Sequence, residues 1–197
     1  MKARRHQHAA GLACLLLALC GRQWLEATMF RHMMLQLPLI VLTGWLLARP
    51  LPISGRWAAI DRYGLTSLTA LLFISAYWMV PRALEQSLDQ SGAEAAKFAS
   101  LLLAGALLPA ALRRSRPVIQ LFYLGNFCWM CAFAGMQYQD MPQRLCNAYA
   151  LDDQLLTGVG LVGWSILIAI AWCLRNLPAL LSNSTTNQHH ALPGFKP

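Results

Sequence analysis

Acidic residues are scarce in this chain: 8 Asp+Glu stand against 16 Lys+Arg in 197 residues. Charged residues of both signs reach only 12%, about half the roughly 25% of an average soluble domain. That leaves too few to solvate the surface of a soluble fold of this length. Other absences narrow the chemistry. The chain contains no G-x-x-x-x-G-K-[ST] phosphate loop and no H-E-x-x-H zinc motif. It also lacks a Ser/His/Asp set placed to react, so no enzymatic activity is expected. Of its five histidines, His6, His8, His189 and His190 fall in the terminal segments, which leaves His32 alone near a span. A haem held between two membrane imidazoles is thereby excluded. No acid lies inside an apolar block, which argues against an ordinary proton-coupled transporter.

What the chain has in excess is hydrocarbon, at 57% hydrophobic residues. Residues 33–48, 63–81, 98–112, 117–139 and 154–174 carry no charge. Several of these blocks approach or exceed the roughly 20 residues that cross about 30 Å of bilayer core. A net charge of +8 would suggest nucleic acid in a soluble protein, but with five such blocks the partner is the lipid bilayer and no nucleic acid is expected. Lys2, Arg4 and Arg5 precede an apolar run, residues 9–20, in the layout of a signal peptide. Retention as a first span reaching residue 25 is expected, with cleavage to a five-span protein as the alternative. The predicted fold is an all-α polytopic transmembrane bundle of six spans, near 9–25, 33–48, 63–81, 98–112, 117–137 and 154–174. A basic N-terminus (1–8) precedes the bundle (9–175), and a polar tail (182–197) reads as disordered.

Sorting charges by loop gives an orientation. One side holds 11 basic residues (Lys2, Arg4, Arg5, Arg49, Arg56, Arg62, Arg113, Arg114, Arg116, Arg175 and Lys196) and the single acid Asp61. The other holds 5 basic residues (Arg22, Arg31, Arg82, Lys97 and Arg144) with the remaining acids, among them Glu26, Glu94 and Asp153. Basic residues near short loops face the cytoplasm, so both termini are predicted to be cytoplasmic, in a bacterial inner membrane. Pro38 and Pro109 lie within spans, where helices tolerate them if neighbours satisfy the freed carbonyls. Gly105, Gly125, Gly158, Gly160 and Gly163 suggest close helix packing. Trp45, Trp57, Trp78 and Trp172 fall near span ends, as an aromatic belt would.

Three groups could carry chemistry. Met29, His32, Met33 and Gln36 share one helical face, and an imidazole with thioethers suits Cu(I). The bland alternative is a histidine among packed helices with methionines filling space. Cys128 and Cys131 lie one turn apart inside an apolar span and read as structural thiols. Cys20 and Cys146 fall on the acid-rich side, where a disulfide is permitted. Asp152, Asp153 and Gln154 open the last span; acids there suit a helix N-terminus, and the glutamine requires a polar partner.

Two segments resemble the CtaG type of cytochrome c oxidase assembly factor, the membrane family associated with caa-type oxidases. The first is Thr28-Met29-Phe30-Arg31-His32-Met33-Met34-Leu35-Gln36-Leu37-Pro38, followed by Gly44; Thr28 stands where the family has its first histidine. The second is Tyr149-Ala150-Leu151-Asp152-Asp153-Gln154-Leu155-Leu156-Thr157-Gly158, continuing to Gly163-Trp164. With the similar order of spans, the likeness covers about residues 10–175. It implies a non-enzymatic protein of the respiratory chain that assists oxidase maturation, with oxidase subunits or copper chaperones as partners. A transient outer-face copper site would be formed by Met29, His32 and Met33, with Asp153 and Gln154 beside it. The alternatives are a metal-free scaffold and a copper or small-solute permease.

Overall fold

The structure, a computed structural model, describes residues 2–48 and 60–190, with side chains for 5–48 and 60–176. Arg49, Arg56, Trp57 and Lys196 lie outside the described residues, as do the side chains of Lys2, Arg4, His189 and His190. Among the described residues every regular element is helical. The elements are α1 (Lys2–Cys20), α2 (Arg22–Leu25), α3 (Met29–Arg31), a π-helical turn (His32–Gln36) and α4 (Leu37–Leu47). There follow α5 (Leu65–Trp78), α6 (Pro81–Asp89), α7 (Ser91–Arg114), α8 (Pro117–Asp140) and α9 (Leu151–His190).

Among the described residues, four helical segments are long and apolar enough to cross a bilayer: Met29–Leu47, Ser91–Arg114, Pro117–Asp140 and Leu151–Asn176. The pair α5–α6 makes a fifth if taken as one span, bent by 75°. Pro81 opens α6 and pushes Val80 into extended backbone (φ −78, ψ 121), which disallows a continuous helix. Among the described residues the candidate spans thus number four to five, where six are expected. The first expected span, 9–25, is interrupted at Gly21, where α1 ends and the short α2 begins. The uncharged part of α1, residues 9–20, covers only about 18 Å at 1.5 Å per residue. The last helix runs to His190, into the segment 182–190 that composition marks as a disordered tail.

The π turn has a local cause. Pro38 has no N–H to donate and its ring crowds the carbonyl four residues back, at Met34. A wider turn absorbs this: the Leu37 N–H reaches the His32 carbonyl, five residues away, and the chain then returns to α-helix. Met29, His32, Met33 and Gln36 are all buried on the inward face, so the shared face read from the spacing survives the irregular turn.

Contact points fix the helix directions. Gly11 of α1 meets Leu46 and Leu47, so α1 runs antiparallel to α4. Gly44 packs on the backbone of Leu102 and Ala106, and Gly105 on that of Val41 and Trp45, so α4 and α7 run parallel at an offset of about 61 residues. Gly135 and Gly158 meet where α8 crosses α9, a Cβ on either lying 2.6 Å from the other's carbonyl oxygen. Gly160 packs on Phe30 and Met34, whereas Gly125 and Gly163 have nothing within 4 Å. Helix α9 packs on α8, α3 and the π turn, and α5 packs on α7 and α8. The result is a ring of α4, α7, α5, α8 and α9 with α1 outside it against α4. Trp78 is buried in the core and its indole N–H donates to Ser100 Oγ at 2.9 Å, so it is not part of a surface belt.

Candidate functional site

At one end of the bundle the chain buries a charged cluster that hydropathy alone does not reveal. Lys97, expected in a loop, instead lies inside α7, fully buried. The close approach of α4 and α7 at Gly44 and Gly105 sets it opposite the π turn. Its ammonium has three donors and three acceptors within reach: Glu26 Oε1 at 2.7 Å, His32 Nε2 at 3.0 Å and Gln36 Oε1 at 3.3 Å. Gln36 Nε2 donates in turn to Glu26 Oε1 at 3.0 Å. Arg22 bridges Glu26 at 2.9 Å and Glu94 at 2.7 Å. Two cations and two carboxylates balance, so the group carries no net charge into the interior.

The direction of each proton follows from the donors. An ammonium can only donate, so His32 Nε2 accepts and the ring is neutral with its proton on Nδ1. That N–H donates to the Tyr149 hydroxyl at 2.9 Å, and Tyr149 donates to the Glu26 carbonyl at 3.0 Å. Burial, aided by the charge of nearby groups, pushes the Tyr149 phenol up from its ordinary pKa, so it keeps the proton it donates. The chain of bonds thus joins α2, the π turn, α7 and the segment before α9 with both imidazole nitrogens occupied.

Asp153 sits at the first turn of α3, where its carboxylate accepts from the Met29 and Phe30 amides. Thr28 accepts from the Arg31 amide at 3.2 Å. Together they cap a helix whose first N–H groups would otherwise be unpaired, and a carboxylate there also complements the helix dipole. Gln154, one residue on and so about 100° around the helix, faces elsewhere. It donates to the Tyr138 carbonyl at 3.1 Å and accepts from the Leu145 amide at 2.9 Å, clasping the 141–150 loop to α8. Asp152 is exposed.

The structure therefore brings Met29, His32, Met33 and Asp153 into one neighbourhood but assigns Gln154 to another. It does not fit a copper site. A Cu(I) ligand needs a free imidazole lone pair, and the one His32 has accepts from Lys97. A cation placed there would also sit beside an ammonium. Among the described residues no group of three His, Cys, Asp or Glu side chains could hold a metal. The sequence reading missed Lys97, Glu26 and Tyr149 as site residues. All six cysteines, including Cys20 with Cys146 and Cys128 with Cys131, are free thiols.

Glu26 gives the cluster a pH dependence. Burial alone would raise its pKa, but hydrogen bonds from Lys97, Arg22 and Gln36 outweigh this and hold it below 4.5. A carboxyl whose folded pKa is depressed adds stability above its unfolded value, and that stability is lost as pH falls through the folded pKa. The melting temperature of detergent-solubilised protein is expected to drop on acidification below about pH 4.5. The drop should be smaller in Glu26→Gln. An identical acid limb in both proteins would show that Glu26 does not carry it.

No protein-family model matches the chain. No curated protein and no solved structure matches it either. Several of its described helices are long and apolar enough to span a membrane, the pattern of a multi-pass helical membrane protein.

Proposed function

We propose that this chain is a non-enzymatic assembly factor for a haem–copper cytochrome c oxidase, acting as a metal-free membrane scaffold that holds oxidase subunits during maturation. One observation carries the reading. The two segments that resemble the CtaG family, Thr28–Pro38 and Tyr149–Gly158, are 111 residues apart in sequence at their near ends and meet as a single site. Asp153 binds the Met29 and Phe30 amides, Tyr149 binds His32, and Gly160 seats Phe30 and Met34. Asp153, Tyr149 and Gly160 of the second segment thus engage the first, whereas Gln154 turns to Tyr138 and Leu145; this contact between the two segments is what supports the reading.

In this reading the protein lies in a bacterial inner membrane with both termini cytoplasmic. The 11-to-5 division of basic residues supports that orientation. Helix α1, antiparallel along α4, is the sixth span, its short apolar run completed by α2 and by snorkelling of its basic end. The occupied His32 favours the scaffold over copper transfer. A permease for a polar solute has weaker support, since the space between the helices is lined almost wholly by apolar side chains.

Deletion of the coding region in the source organism tests the proposal. The expected result is loss of the a-type haem absorbance and of cytochrome c oxidation in isolated membranes, restored by the wild-type chain and not by added copper. Normal oxidase in the deletion strain would overturn the proposal, and rescue by copper alone would overturn its scaffold form.

A further inference from the structure

Helix α8 has two faces. Cys131, Gly135 and Tyr138 are buried toward the bundle, with Gly135 set against Gly158 of α9. On the opposite side Phe122, Asn126, Trp129, Phe133 and Met136 are all exposed. They follow one another at steps of four, three, four and three residues, the alternation that keeps one seam of a helix against a partner helix along its length. The aromatic and methionine side chains of this seam are between 44% and 68% exposed. Lipid tails are as apolar as these side chains and would cover them equally well, so they alone do not call for a protein.

Asn126 does. It lies about 4 Å from the midpoint of the span Pro117–Asp140, counting 1.5 Å per residue, too deep for its short side chain to reach the headgroups. Away from the helix ends, no other amide, hydroxyl or charged side chain among the described residues of the spanning helices is exposed. Its carboxamide has two N–H donors and an acceptor oxygen. One N–H donates to the Phe122 carbonyl of its own helix at 2.8 Å. The second N–H and the oxygen have no partner among the described residues, and the bilayer core supplies none.

Whatever covers this face must bring a donor and an acceptor to mid-membrane depth. A second copy of the chain meets that requirement by symmetry. Every copy inserts with the same orientation, so a two-fold axis along the membrane normal sets Asn126 against its own counterpart at the same depth. Two carboxamides are self-complementary, the free N–H of each donating to the oxygen of the other. The four-then-three spacing also puts Asn126 at the seam position where a single asparagine fixes register and strand number in two-stranded coiled coils. We infer that the protein is a homodimer in the membrane, joined by α8 helices packed side by side in parallel, with a reciprocal Asn126–Asn126 hydrogen-bond pair at mid-membrane. The seam lies outside the helix ring, so pairing leaves the ring intact. The inference is independent of the oxidase proposal.

Full-length protein in phosphatidylcholine vesicles, tagged at the C-terminus with a donor or an acceptor fluorophore, is the test. Energy transfer is expected to rise with the protein-to-lipid ratio and to saturate at the level of a pair. Asn126→Leu suits lipid and breaks no contact beyond its own helix, so its fold should survive, as circular dichroism would report. Its dimer dissociation constant should rise about threefold to thirtyfold, the loss expected for side-chain hydrogen bonds between membrane helices. Asn126→Gln keeps a carboxamide and should recover part of that loss. Cysteine cross-linking locates the interface without relying on Asn126. Phe133→Cys should form a disulfide-linked dimer under added oxidant, above the wild-type level. Leu167→Cys, on the exposed face of α9, should not. Transfer no greater than random crowding at every ratio would leave lipid as the cover and overturn the inference. So would an unchanged dissociation constant in folded Asn126→Leu, or cross-linking at Leu167→Cys equal to that at Phe133→Cys. Cross-linking of Phe133→Cys in native membranes to a different protein alone would overturn it in favour of another partner.

Discussion

Lys97→Met is expected to destabilise the protein by about 3–5 kcal/mol, the range seen when one partner of a buried ion pair is removed. Methionine fills much of the lysine volume, so little of this loss comes from a cavity. It comes from what remains: Glu26 keeps Arg22 and Gln36 but loses its closest cation, 2.7 Å away. His32 Nε2 and Gln36 Oε1 lose their donor in a region without water access. Lys97→Arg is not a conservative repair, because a planar five-donor fork does not match three acceptors arranged around one ammonium. The double variant Lys97→Met, Glu26→Gln removes both charges, and it should recover part of the loss. A coupling energy above about 1 kcal/mol is then expected from the cycle, as for residues in one hydrogen-bonded network. Thermal unfolding of the four proteins in one detergent measures it. A Lys97→Met protein within about 0.5 kcal/mol of wild type would show that the cluster does not hold α2, the π turn and α7 together.

The way this cluster escaped the sequence reading has a physical explanation. Hydropathy treats each lysine or glutamate as a solvated charge, because the single residue carries no information about its partner. Glu26 lies 71 positions from Lys97, and no local pattern joins them. The uncharged block begins at residue 98, so Lys97 read as the edge of a loop, whereas α7 begins at Ser91 and has already run for more than a turn by then. The inward face of Met29, His32, Met33 and Gln36 was legible because short-range helical geometry decides it. So was the role of an acid at the start of the last span, since a carboxylate near free amides needs only chemistry and position. Its client was not legible: Asp153 caps α3, a different helix, rather than its own. The copper expectation meets its obstacle at the same step. Ligand type and spacing were right for Cu(I), but the lone pair that would bind it is spent on a lysine from another helix. The two expected spans that are not single straight helices have local causes, a turn at Gly21 and a bend at Pro81, and only the second left a clear sign in the sequence.

Gly105→Leu should have the second large effect, and it tests whether the α4–α7 crossing builds the site. A Cβ on Gly105 would fall deep inside the contact distance of the Val41 carbonyl oxygen and 2.9 Å from the Trp45 nitrogen. Both obstacles are backbone, so no flexible side chain can swing away and the two helices must part. Overpacking of an adaptable core typically costs about 1–3 kcal/mol; here the loss is expected at or above the top of that range. Separation also draws Lys97 away from His32 and Gln36, because the same parallel register brings all three together. The variant should therefore lose the cluster along with the crossing. Removing Lys97 in the Gly105→Leu background should then cost much less than it does in the wild type, which distinguishes this mechanism from a general loss of packing. Gly125→Ala is the control: with nothing within 4 Å of its added methyl, it should be neutral or gain up to about 1 kcal/mol from the improved helix propensity. A Gly105→Leu protein that melts like wild type, or Lys97→Met costs that simply add to those of Gly105→Leu, would show that the charged cluster does not depend on this crossing.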